Sequence, residues 1–254
     1  MNLKLNNLRI YVKDDYTKMS KYAAYLLASQ IRLRPQSVIG LATGGTPEGM
    51  YKELVRMYQE EDLDFSEITK FNLDEYYPIS RDNTQSYYYY MMEHLFNHVN
   101  VKADRIHIPN GMGKNVEENC KNYEKMIRDA GGVDLQILGI GSNGHIGFNE
   151  PDNKFEVYTH LVHLDEETIK ANSRYFDSID EVPRNAISMG IKTIMLAKKI
   201  VLLASGKNKA KIIKETITGG ITPDVPASIL QLHPDVTFIL DQEAASEIAP
   251  LLTE

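Results

Sequence analysis

A series of short, β-branched apolar runs, each followed by a helical pattern, constrains this chain more than any other feature. They are LRIYV from Leu8, SVIGLA from Ser37, ITKFNL from Ile68, RIHIP from Arg105, LQILGI from Leu135, KIVLLAS from Lys199 and VTFIL from Val236. Tyr16 to Ile31 sets Met19, Tyr22, Ala23, Leu26 and Leu27 on one helical face, and Glu48 to Tyr58 does the same with Met50, Tyr51, Leu54 and Met57. Val116 to Ala130 is a more polar version. This alternation predicts an α/β fold with a mainly parallel sheet and helices on both faces. No repeat or Pro/Gly/Ser linker interrupts it, so a single domain over residues 1–254 is expected. Open sheets of this kind gather ligands at the carboxyl ends of their strands, near a reversal of strand order. The residues after each run are therefore the first candidates for chemistry.

Bulk properties narrow the partners. A net charge of −7 repels nucleic acid and anionic membranes, so an anionic substrate needs a local positive site. The single cysteine, Cys120, has no disulfide or metal-binding mate, which suits a reducing compartment. The start, MNLKLNNLRIYV, lacks a signal-peptide core, and no run reaches the roughly 18 apolar residues of a membrane span. A cytoplasmic protein is expected.

Four segments could carry chemistry. In LATGGTPEGMYKEL a run ends in Thr43, Gly44, Gly45 and Thr46, and Pro47 opens a helix, which would aim free N–H groups at an anion. An ordinary tight turn capped by Thr46 has about equal weight on capping preference. The lysine spacing of a Walker loop is missing. In FNLDEYYPIS, Asp74 and Glu75 follow an apolar run, and neighbours on an extended segment point to opposite sides, so one carboxylate at most faces a given pocket. As an isolated signal, a polar loop capping the next helix is the heavier reading. The tyrosines Tyr87 to Tyr90 read as a helix start packed on the body.

The third segment, LQILGIGSNGHIGFNEP, spells G-x-G-x-x-G at Gly139, Gly141 and Gly144, with Asp165 about 20 residues on, as a dinucleotide site would require. Yet Gly147 and Pro151 follow so closely that a helix cannot begin at Gly144, and an irregular loop is expected instead. That loop gathers Asn143, His145 and Glu150. A lone histidine is more often structural, but a histidine with a carboxylate and an amide has the makings of a proton-transfer site. The last pair is cationic: Arg174 in IKANSRYF and Lys209 in SGKNKAKII. Lys209 falls in a first helical turn, where it opposes the helix dipole unless an anion sits there; a solvated charge is the equal alternative.

Taken in order, LATGGTPEGMYKELV, FNLDEYYPI, QSYYYYM, ILGIGSNGHIGFNEP, KANSRYF, SGKNKA and ILQLHPDVTFILD resemble the glucosamine-6-phosphate deaminase family along nearly the whole chain. The resemblance implies a modified Rossmann-like sheet, shared with ribose-5-phosphate isomerase and 6-phosphogluconolactonase. It implies that Thr43, Gly44, Gly45 and Thr46 hold the phosphate of glucosamine 6-phosphate together with Arg174 and Lys209. It further implies that Asp74 moves a proton from C2 to C1, and that His145 opens the sugar ring, oriented by Glu150 and by Asn143, where some relatives carry aspartate. No cofactor and no metal are expected. In larger hexameric relatives N-acetylglucosamine 6-phosphate binds between subunits through cations, where this chain has His160 and Val162. A monomer or small homo-oligomer without that activation is therefore expected. The competing readings are a 6-phosphosugar isomerase or lactonase on the same fold, a sugar-phosphate sensor, and a nicotinamide-dependent dehydrogenase.

Overall fold

The computed structural model describes residues 2–5, 8–173 and 176–252. Its strands are β1 (Asn2–Leu5), β2 (Leu8–Lys13), β3 (Val38–Leu41), β4 (Thr69–Asn72), β5 (Asp74–Tyr77), β6 (Ile106–His107), β7 (Leu135–Leu138), β8 (His160–His163), β9 (Asn185–Ser188), β10 (Ile200–Ala204) and β11 (Val236–Asp241). The α-helices are α1 (Tyr16–Leu33), α2 (Glu48–Glu60), α3 (Tyr87–His94), α4 (Val116–Asp129), α5 (Glu166–Asn172), α6 (Ile191–Met195) and α7 (Ala210–Thr218).

Each apolar run of the sequence supplies a strand of one eight-stranded sheet, in the order β1-β2-β11-β10-β7-β3-β4-β6. Every pairing in it is parallel except β1 with β2. Strands β3, β7, β10 and β11 are buried at every residue, the pattern of strands covered on both faces. Helix α1 begins where the Asp15 side chain accepts the Lys18 N–H, and it turns Met19, Ala23, Leu27 and Ile31 into the core at helical spacing. On α2 the buried set is Met50, Tyr51, Leu54 and Met57, as the sequence pattern predicts. Tyr123 of α4 packs edge-on against Phe71 of β4.

Two features depart from a simple alternation. The first is β1, paired antiparallel to β2 at the sheet edge. The second is a separate three-stranded antiparallel sheet, β5-β9-β8, with a small core that includes Tyr76, Phe148, Val162, Ile169 and Ala186. Its strands are four residues long and partly polar (DEYY, NAIS, HLVH), so no hydrophobic period marks them.

The strand order reverses between β3 and β7. From β3 the chain steps outward through β4 to β6, and from β7 it steps the other way through β10 to β11. The carboxyl ends of β3, β4, β7 and β10 converge there, where an open parallel sheet leaves a crevice.

Candidate active site

A cleft of about 220 Å3 occupies this crevice, and Asp74, His145, Lys209 and the whole loop Thr43 to Thr46 line it. The loop is shaped from behind by tyrosine hydroxyls. Tyr90 donates to the Gly44 carbonyl at 2.8 Å, Tyr16 to the Gly45 carbonyl at 3.0 Å, and Tyr51 to the Ala42 carbonyl at 2.5 Å. Gly44 has φ +98°, a conformation that strains any residue with a side chain. Among the described residues, no protein group accepts the N–H groups of Thr43, Gly44, Gly45 or Thr46. Pro47 is the N-cap of α2, so the helix starts at Glu48, one residue later than expected, and the loop runs straight into a helix N-terminus. Such an end favours an anion.

Lys209 sits across the cleft, on a 3-10 turn after β10 and at the N-cap of α7. That turn is fixed by Asp241, which accepts from the Ser205 hydroxyl at 2.5 Å and from the Gly206 N–H. Arg174, the other expected cation, lies outside the described residues.

Asp74 stands where the chain leaves the large sheet for the small one, paired opposite Ser188 of β9. It is 6% exposed, and burial pushes its carboxyl up to about 8, with the charge of Glu75 adding to the effect. Glu75 points away, as adjacent strand residues must. Its carboxylate accepts the N–H groups of Tyr76, Tyr87 and Tyr88 at 2.8–2.9 Å, closing the start of α3. Burial outweighs those three bonds and lifts it to about 7.

The loop after β7 is irregular, with no helix at Gly144. It brings Asn143, His145 and Glu150 together. Asn143 Nδ2 donates to Glu150 Oε2 at 2.7 Å, and His145 Nδ1 lies 3.0 Å from the same oxygen. Burial alone would raise the Glu150 carboxyl, but His145, Thr168 and Asn143 bring it below its usual value. An ionised Glu150 accepts a hydrogen bond from Nδ1–H, so Nε2 is the nitrogen left for chemistry. The ring lies on Gly141, where an added Cβ would come within 2.3 Å of its Cε1. Ser188, the strand partner of Asp74, accepts the Phe148 N–H at 3.0 Å and ties this loop to β9.

Sequence reasoning missed three residues that line the cleft: Tyr87, Thr168 and Asn172. Tyr87, expected to pack only on the body, stacks on Phe148 at 5.9 Å and borders Asp74's compartment. Neither Tyr87 nor Thr168 carried a sequence signal: Tyr87 opens α3, ten residues beyond the end of β5, and Thr168 is 18 residues from its partner Glu150.

Residues 13–239 match the model of the glucosamine-6-phosphate isomerases/6-phosphogluconolactonase family. This chain belongs to that family. Within it, the chain is 61% identical to the glucosamine-6-phosphate deaminase of Alkaliphilus metalliredigens, over 94% of this chain and 98% of that protein. It is 60% identical to the enzyme of the same name from Halothermothrix orenii, over 94% and 99%. A solved monomeric glucosamine-6-phosphate deaminase superimposes with a TM-score of 0.92 at 48% identity, covering 94% of this chain and 99% of that one. The 6-phosphogluconolactonase of Trypanosoma brucei, at TM-score 0.75 and 20% identity over 94% and 98%, shares the fold.

Proposed function

We propose that the chain, acting as one catalytic domain over residues 1–254, is a glucosamine-6-phosphate deaminase that converts glucosamine 6-phosphate and water to fructose 6-phosphate and ammonia. The observation that carries this reading is the meeting, in one cleft, of a buried carboxyl at Asp74, an imidazole held by a carboxylate at His145, and an anion-ready loop at Thr43 to Thr46. The names borne by the 60–61% identical relatives support it.

The phosphate is taken by the loop N–H groups, with Lys209 and Arg174 supplying charge. Each charge-assisted bond contributes about 1.5–3 kcal/mol, enough to offset the repulsion of an acidic chain. His145, through Nε2, takes the proton from the anomeric hydroxyl and returns one to the ring oxygen, which opens the pyranose to an aldehyde. The C2 proton now lies beside a carbonyl and is acidic enough for a carboxylate. Asp74 removes it while the substrate's ammonium group passes a proton to O1, giving an enolamine, and Asp74 then delivers its proton to C1, leaving an iminium at C2. Water adds there, ammonia departs, and the ketone of fructose 6-phosphate forms. Every step is proton transfer or hydration, and none of them calls on a cofactor. A monomer or small oligomer in the cytoplasm fits this role; no described helix is long and apolar enough to cross a membrane.

A lactonase would share the phosphate loop but need not move the C2 proton, so it has no use for a proton shuttle at Asp74. Ammonium and fructose 6-phosphate appearing together from glucosamine 6-phosphate, in a coupled assay, is the expected result. Hydrolysis of a 6-phosphosugar lactone without ammonium release would replace this reading with the alternative.

A further inference from the structure

Glu150 is held at both carboxyl oxygens, and the two holds come from different parts of the fold. Oε2 meets Asn143 and His145 within the loop after β7. Oε1 accepts the hydroxyl of Thr168, on α5, at 2.5 Å. Thr168 is 5% exposed and lines the cleft, as does Asn172 four residues later, so one face of α5 forms a wall of the site. The same helix is anchored by Ile169, buried in the small core beside Phe148, which belongs to the Glu150 loop itself. A glutamate side chain that keeps one oxygen on an imidazole must stop rotating about its last bond. The Thr168 hydroxyl supplies the second point that fixes that plane.

We propose that Thr168 is a positioning residue for the His145–Glu150 pair: its hydroxyl holds Glu150 Oε2 on His145 Nδ1 from the helix that walls the cleft, so ring opening depends on α5 being docked. The proposal rests on the deaminase reading. It adds a residue outside the loop motif, and it makes the wall of the substrate cleft part of the proton-transfer apparatus. The bond to Glu150 also favours the ionised carboxylate, the form that keeps the proton on Nδ1 and leaves Nε2 available.

The test uses Thr168→Val, which keeps the shape and removes the hydroxyl, Thr168→Ser, which keeps it, and Thr168→Ala should the valine variant not fold. With glucosamine 6-phosphate, Thr168→Val (or Ala) should lose about 10- to 100-fold in kcat, the usual worth of a hydrogen bond to a charged group, with KM little changed. Thr168→Ser should retain most of the activity. In 15N spectra the His145 imidazole, identified by its absence in His145→Gln, should report Nδ1–H in the parent and Thr168→Ser proteins and a shifted, mixed tautomer without the hydroxyl. Parent-like kcat and an unmoved imidazole signal in Thr168→Val would overturn the proposal, as would equal losses in the serine and valine variants. If the parent protein releases no ammonium, the deaminase reading fails instead, and the imidazole spectra still decide whether Thr168 orients the pair.

Discussion

Asp74 and Glu75 are adjacent on β5 and serve opposite sides of it: Asp74 lines the cleft, while Glu75 accepts the N–H groups of Tyr87 and Tyr88 at 2.8 and 2.9 Å. Burial acts on both, but the charge of Glu75 acts on Asp74 as well. As the proposed base, Asp74 must be ionised to work, so kcat/KM should rise with pH through about 8. Glu75→Gln removes the neighbouring charge and should move that limb to lower pH. The pH–rate profiles of the two proteins check this, and an unmoved limb would detach Glu75 from the titration. For stability the sign is opposite to the usual carboxylate case. Both carboxyls are raised above their ordinary values of 3.8 and 4.5, so the stability present below pH 4 is lost as pH rises through about 7 to 8.

Lys70 gives the mirror image. It is 1% exposed on β4, its Nζ has no hydrogen-bond partner among the described residues, and burial, followed by the charge of Arg105, pushes it down to about 7. Between pH 7 and its ordinary 10.5 the unfolded chain binds more protons than the folded one, so this group makes stability rise with pH across that window. Lys70→Met should raise stability by about 1–3 kcal/mol at neutral pH, since it removes a buried group without a partner. The gain should shrink toward pH 10. Thermal unfolding at the two pH values reads it directly, and a lower Tm at pH 7 would mean that Lys70 has a stabilising role.

Gly141 is where the imidazole rests. A methyl group there would lie 2.3–2.5 Å from three ring atoms of His145, closer than any real contact. Gly141→Ala should therefore displace the ring from Glu150 and lower kcat by about tenfold or more, with the fold intact. An active Gly141→Ala enzyme would show that the ring need not occupy this position.

The family resemblance puts His160 and Val162 at places where activation by a phosphorylated effector would call for cations. Val162 is buried in the small core, and burial lowers the His160 imidazole below its ordinary value, so neither presents a permanent charge. Substrate curves should be hyperbolic, and N-acetylglucosamine 6-phosphate should leave them unchanged. Coupling of the usual size would appear as an affinity change of about 5–150-fold in a titration at low substrate.

What could be read in advance followed from local rules. The apolar runs became the strands of the large sheet because their alternation with helices leaves few other arrangements, and the opposition of Asp74 and Glu75 follows from strand geometry alone. The loop from Asn143 to Glu150 was readable because its members lie within eight residues. The small sheet was not, because β5, β8 and β9 are short and half polar, and β5 finds β9 across more than 100 residues of chain. Nor were the tyrosine hydroxyls that hold the strand-end carbonyls, or Thr168, since those contacts are made by the assembled fold rather than by any motif. Arg174 falls outside the described residues, and its role stays with the family resemblance.

The central claim is that Asp74 carries the proton from C2 to C1, and Asp74→Asn tests it most directly because the substitution keeps the shape and removes the base. Ammonium and fructose 6-phosphate would be measured with glucosamine 6-phosphate as substrate, alongside the affinity of the variant for the sugar phosphate. Turnover should fall by at least about 10²–10⁴-fold, the usual worth of a general base, while the sugar phosphate binds nearly as before. Turnover near that of the parent protein would contradict the account.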